Sequence, residues 1–329
     1  MGNTGSYRAH GTTAVFLSVA VLLIFWLPDF FGYSRAQLSF WLPVTGQWYD
    51  GALFASNGYR LLTIVLSLAN GLALYIFGQR FLALGRSGHL MVWFYLLFIF
   101  AYPQARAFSF VFLSTLLAIA GLFALFISTQ AKDRVAPLFM AALCTTCAGL
   151  LYWPCFIMVA AVAVAAAVLH IFSLRRGLIF LGGILLPLGG LVFYRFIVYE
   201  DALILTGALF DMFGQVHPQL TPGTPAALFL MLVLTYLLLR SIWRMLTLTD
   251  GANILRSRAL VSIILMLLFC SLTALLYARM IYGFLPLLAL PVSACLTCYF
   301  SSEKMNPRMK AEFYVLLLAL LINQFASLM

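Results

Sequence analysis

Charge is what this chain has least of. Only 9% of its 329 residues are Asp, Glu, Lys or Arg, against about a quarter in soluble domains, and just nine of those are carboxylates. So few ionic groups cannot cover a water-facing surface, and with 64% hydrophobic residues and a mean hydropathy of +1.06 a soluble fold is excluded. Histidine and cysteine are sparse too, at four and six. No cysteine falls in a loop expected on the external side, which removes stabilising disulfides from consideration. The formal charge of +10 does not imply nucleic acid, because the basic residues are spread over the loops rather than gathered on one face. Anionic lipid headgroups are their natural partners.

What is abundant is apolar sequence in bilayer-length runs. Spans of about 17 to 25 apolar residues recur with short polar breaks and predict an all-α polytopic membrane protein, one transmembrane domain over residues 1–329. Eleven spans are expected, near 12–28, 60–78, 89–103, 109–129, 136–153, 154–174, 177–198, 224–240, 259–278, 281–300 and 312–328. The first runs out through Phe25, Trp26, Leu27 and Pro28 without a small-residue cleavage site, so it reads as a retained anchor. The third, HLMVWFYLLFIFAYP, is short for a span. The pair meeting at Trp153 and Pro154 is open to a second reading as one re-entrant hairpin.

Lysine and arginine concentrate in cytoplasmic loops. A cytoplasmic N-terminus puts fourteen of the nineteen basic residues inside and leaves Arg35, Arg60, Arg106, Arg195 and Arg279 outside, with a periplasmic C-terminus. Two external loops are then long, about 29–59 and about 199–224. Pro43, Gly46 and Gly51 restrict the first to short helices, and Trp41, Trp48 and Tyr49 suit the headgroup interface. The second has an apolar piece, 202–213, followed by turns at Pro218, Pro222 and Pro225.

Five of the nine acids, Asp29, Asp50, Glu200, Asp201 and Asp211, fall outside; Asp133, Asp250, Glu303 and Glu312 fall inside. Asp29 and Asp50 are the candidate catalytic groups, since an acid at the mouth of a span can serve as a general base or metal ligand; each also fits the bland role of a solvated cap. Arg60, Arg106, Arg195 and Arg279 lie near external span ends in the contexts NGYR, PQAR, FYRF and LYARMIY. A guanidinium at that depth faces a cavity or partner or snorkels to the interface, and arginine forks onto phosphate oxygens. Four from different spans describe an external anion-binding cleft suited to a polyprenyl phosphate or a phospholipid headgroup. His217, in the turn VHPQ, is the one histidine placed to meet an external substrate, against the plainer reading as a solvated turn residue. No second ligand accompanies it, so no metal is assigned; a divalent ion would be compatible with the acids, but no cofactor is indicated. The pairs Cys144/Cys147 and Cys295/Cys298 would suggest zinc in a soluble loop, yet both lie in apolar helices and read as small buried residues. Gly182, Gly183, Pro187, Gly189 and Gly190 in the seventh span allow close helix approach or a kink.

The run AALCTTCAGLLYWPCFIMVAAVAVAAAVLHIFSLRRGLIFLGGILLPLGGLVFYRF resembles the central signature of an uncharacterised family of Bacteroidota inner-membrane proteins, and LPLLALPVSACLTCYFSSEKMNPRMKAEFYVLLLALLINQF is similar to its C-terminal part. More distantly, the order of elements resembles the GT-C glycosyltransferases, which use polyprenyl-linked sugar donors. That resemblance implies a GT-C-like arrangement, with Asp29 in the position of the catalytic acid on a first external loop of interfacial helices. YRLLTIVLSLANGLALYIFGQRF then takes the position of the second span. The paired acids usual after the first span are absent, since Phe30 follows Asp29. Two functional readings stay open: a GT-C-like transferase acting on a lipid-linked substrate at the external face of a bacterial inner membrane, or a non-catalytic subunit of a cell-envelope complex for secretion, motility or cell-wall assembly. A transporter has no support from an internal repeat or a mid-span acid.

Overall fold

A helix satisfies its own backbone polar groups within one apolar segment, which lipid demands of any lone spanning element. The computed structural model describes residues 40–42, 47–49, 57–82, 84–100, 102, 109–130, 135–199, 225–249, 254–276, 281–301 and 306–326. Among these are ten α-helices: α1 (Asn57–Phe81), α2 (Gly88–Phe100), α3 (Ser109–Gln130), α4 (Ala136–Leu151), α5 (Ile157–Val168), α6 (Leu174–Tyr199), α7 (Pro225–Thr249), α8 (Ile254–Leu276), α9 (Ile281–Phe300) and α10 (Pro307–Ala326).

Six of them contain a stretch long and apolar enough to cross a membrane: Leu61–Phe81, Phe110–Gln130, Leu174–Val198, Pro225–Thr247, Arg256–Leu275 and Gly283–Phe300. Apolar helices of this length make the chain an integral, multi-pass membrane protein. The expectation of eleven spans is therefore reduced, among the described residues, to six full spans and three shorter apolar helices. The expected span at 12–28 lies outside the described residues, and the one at 312–328 falls on α10, which is not among the six. The pair α4 and α5 has 16 and 12 residues, or about 24 and 18 Å at 1.5 Å per residue, against a hydrocarbon core of about 30 Å. They pack on each other across an extended Tyr152 (φ −145°, ψ 108°) and a 3₁₀ turn at Trp153–Phe156. Neither helix alone matches the core thickness, so the pair does not count as two full spans.

The loop at 29–59, expected to form short helices, also differs from expectation. Its described part is an antiparallel hairpin, β1 (Phe40–Leu42) and β2 (Gln47–Tyr49), in the register Phe40↔Tyr49, Trp41↔Trp48, Leu42↔Gln47. Aromatic residues favour strands, and a proline and a glycine in the four-residue connection PVTG oppose helix propagation. The described part of the 199–224 loop is its first residue alone, the end of α6.

The core centres on α9. Of its membrane-length window 94% is buried, and α2, α7, α8 and α3 pack around it. A helix apolar all round belongs inside a bundle, and small residues such as Ala289, Ser293, Ala294 and Cys295 let its neighbours approach closely. The short α2 is sheltered likewise, with Met91, Phe94, Tyr95 and Ile99 buried against α9 and α1. Polar side chains pin the layers together. Asn70 Nδ2 donates to the Phe112 carbonyl (2.9 Å), tying α1 to α3, and Ser114 Oγ donates to the Ala148 carbonyl (2.7 Å), tying α3 to α4.

At the end of α5, Ile171 N–H bonds the Ala166 carbonyl (3.0 Å) and His170 adopts φ +52°. That is the left-handed cap position where glycine is the usual residue. Replacing His170 by glycine is expected to stabilise the fold by about 1 kcal/mol, the cost of a Cβ in that conformation. A rise in the detergent unfolding temperature checks this; an unchanged or lower value contradicts it.

Candidate functional site

The structure reaches few of the residues singled out in the sequence. Asp29, Asp50, Arg106, His217 and Arg279 lie outside the described residues, and Arg60 is fixed only as the fourth residue of α1. Arg195 is described in full. It sits near the end of α6, 3% exposed, while Phe193, Tyr194, Phe196 and Ile197 around it are all exposed. The buried positions Phe180, Gly183, Leu191 and Arg195 follow the three-to-four-residue spacing of one helix face. Arg195 therefore points inward with the packed face of α6 and does not snorkel along the lipid-facing one.

A second, denser constellation lies at the basic ends of α7, α9 and α10. Its centre is the Glu312 carboxylate, whose side chain is 12% exposed. Oε2 accepts from the Tyr299 hydroxyl at 2.6 Å. Oε1 is ion-paired with Arg240 Nη1, accepts from the Tyr236 hydroxyl at 3.2 Å, and lies 3.4 Å from Arg308 Nε. The Tyr236 hydroxyl in turn accepts from Arg240 Nη1 (3.2 Å) and Arg308 Nη2 (3.3 Å). Arg244 donates to the Tyr299 carbonyl at 3.0 Å. Both Arg240 and Arg244 lie against the Tyr299 ring, at 5.5 and 5.8 Å from its centroid, within cation–π reach.

Local sequence builds this site. Tyr236 and Arg240 are four apart on α7, as are Arg308 and Glu312 on α10, so each pair shares a helix face. Packing of α7 on α10 and on α9 then brings the faces and Tyr299 together. The distribution of basic residues leads one to expect this end on the cytoplasmic side. Sequence reasoning places Glu312 on that side and gives it no role. The signal for it was the pair of four-residue spacings on two helices, and the missing information was Tyr299, whose distance in sequence hides its part.

Chemically the cluster holds three guanidinium groups against one carboxylate, so it is net cationic. The carboxylate is engaged by its donors on both oxygens, which suits it to anchoring the arginines. Next to it, between α7 and α10, runs an open groove of 440 Å³ lined by Leu232, Val233, Tyr236, Leu237, Arg308, Ala311, Glu312 and Val315.

Among the described residues no group of three His, Cys, Asp or Glu could hold a metal ion. All six cysteines are free; Cys295 and Cys298 are buried within α9, and Cys144 and Cys147 are half-buried on α4. No family model, no curated protein and no solved structure matches this chain.

Proposed function

We propose that the chain is a GT-C-like transferase with a cytoplasmic N-terminus and a periplasmic C-terminus, acting at the external face of a bacterial inner membrane on a polyprenyl-phosphate-linked or other lipid-linked substrate. The observation that supports this most is Arg195, a cation turned into the protein near the end of a span whose surroundings face outward. Such a placement is costly unless the charge serves a partner or a cavity. In this reading Arg195, with Arg60, Arg106 and Arg279, holds the donor phosphate, and His217 contacts the substrate from the second loop. The acceptor oxygen bonds to the transferred carbon as the carbon–phosphate oxygen bond breaks. The phosphate leaves with the bonding pair, its charge met by the arginines, and the acceptor proton passes to Asp29 or Asp50.

Mass spectrometry of the chain purified in mild detergent tests this. A polyprenyl phosphate should be retained, and Arg195→Gln should reduce its occupancy at least tenfold, with partial rescue in Arg195→Lys, which keeps the charge but not the fork. Equal retention in both variants, in monodisperse protein, contradicts the reading.

One observation favours the alternative, a non-catalytic subunit of an envelope complex. Gly189 and Gly190 on α6 are exposed and have no atom within 4 Å of where a Cβ would stand, and small residues on a lipid-facing helix are what a partner helix packs on. A stoichiometric protein partner in the same preparation, with no retained lipid phosphate, decides for the subunit.

A further inference from the structure

We propose that the groove between α7 and α10 binds one anionic phospholipid, with its phosphate on Arg308 and the exposed edge of Arg240 and an acyl chain along Leu232, Leu237 and Val315. Charge identifies the occupant. Glu312 neutralises one of three arginines, and it is enclosed by its donors, whereas the side chain of Arg308 is 72% exposed and that of Arg240 34% exposed. Arg308 lines the groove and Arg240 stands beside it through its contacts with Tyr236 and Glu312, so positive charge marks this mouth of the groove, and a basic pocket between membrane helices suits an anionic headgroup. Arginine's planar fork suits phosphate oxygens in particular.

Shape agrees with charge. Away from that mouth the groove walls are Leu232, Val233, Leu237 and Val315, over the small side chain of Ala311. Leu239 on α7, and Tyr314 and Leu318 on α10, are exposed, so both helices present apolar surface to lipid beside the groove. An extended peptide would need backbone hydrogen-bond partners, which apolar walls do not supply; an acyl chain needs none. The site shares no residue with the proposed transferase cleft and does not depend on it.

Native mass spectrometry of the full chain in mild detergent, titrated separately with dioleoyl phosphatidylglycerol, dioleoyl phosphatidylcholine and inorganic phosphate, is the test. One phosphatidylglycerol per chain should bind at least tenfold more tightly than phosphatidylcholine. Arg308→Gln, at an exposed position, and Val315→Trp, which fills the groove, should each weaken it at least tenfold, about 1.4 kcal/mol. Phosphatidylcholine binding as well as phosphatidylglycerol overturns the proposal. So does displacement of the lipid by inorganic phosphate at equal concentration, which would mark a free-anion site. A second copy of the chain held through the groove, or unchanged lipid binding in both variants, overturns it equally.

Discussion

Glu312→Ala is expected to lower the unfolding free energy by about 3 kcal/mol, the low end for breaking a buried ion pair, because one partner, Arg240, is about a third exposed and screening reduces its share. The loss has several parts that act together. The Tyr299 hydroxyl loses its acceptor at 2.6 Å, the Tyr236 hydroxyl loses one at 3.2 Å, and Arg240 is left beside two tyrosine rings without its counter-charge. Glu312→Gln keeps acceptor oxygen and volume, so it should recover part of the loss. The double variant Glu312→Ala, Arg240→Met should cost less than Glu312→Ala alone, since it removes the stranded cation. Equilibrium unfolding in mixed detergent micelles measures all three; a loss under 1 kcal/mol in Glu312→Ala would show that the cluster is a surface feature.

Gly121→Leu is the second large effect, and its cause is steric. A Cβ built on Gly121 would stand 2.7 Å from Thr145 Cγ2 and 3.1 Å from the Ala141 carbonyl oxygen. The latter is backbone of the neighbouring helix and has no rotamer through which to yield. Helices α3 and α4 meet there face to face, and Ser114 Oγ bonds the Ala148 carbonyl two turns away, so separating them to admit a side chain strains that bond as well. Overpacking of this kind costs about 3 kcal/mol. Gly189→Leu serves as the control, because the space beside Gly189 is open; it should change stability by about 0.5 kcal/mol at most. Comparable losses in both variants would mean that glycine matters here through backbone conformation and not through helix contact.

The helices were legible in the sequence because an apolar run long enough to cross a bilayer is a statement about solvent, and it does not depend on which neighbours the helix finds. Span number was less so. The stretch 136–174 is apolar almost throughout, and hydropathy alone does not reveal that Tyr152 leaves helical geometry and that Pro154 opens a 3₁₀ turn. The hairpin at Phe40–Tyr49 was missed because Pro43 and Gly46 were read as limiting helix length, when with flanking aromatics they also mark a strand turn. As for the candidate residues, Arg195 was singled out for its charge near a span end, a local property. Glu312 was passed over because its importance rests on Tyr299 and Arg240, and contacts across 13 and 72 positions have no local signature.

The enclosure of α9 bears on how the protein is made. Chains are released N-terminal part first, so α1 to α8 are synthesised before the helix that α2, α3, α7 and α8 surround. Until α9 arrives, the apolar faces that will cover it lack that partner, and lipid can occupy its place. The bundle is completed by filling its axis late, through displacement of whatever held that space open.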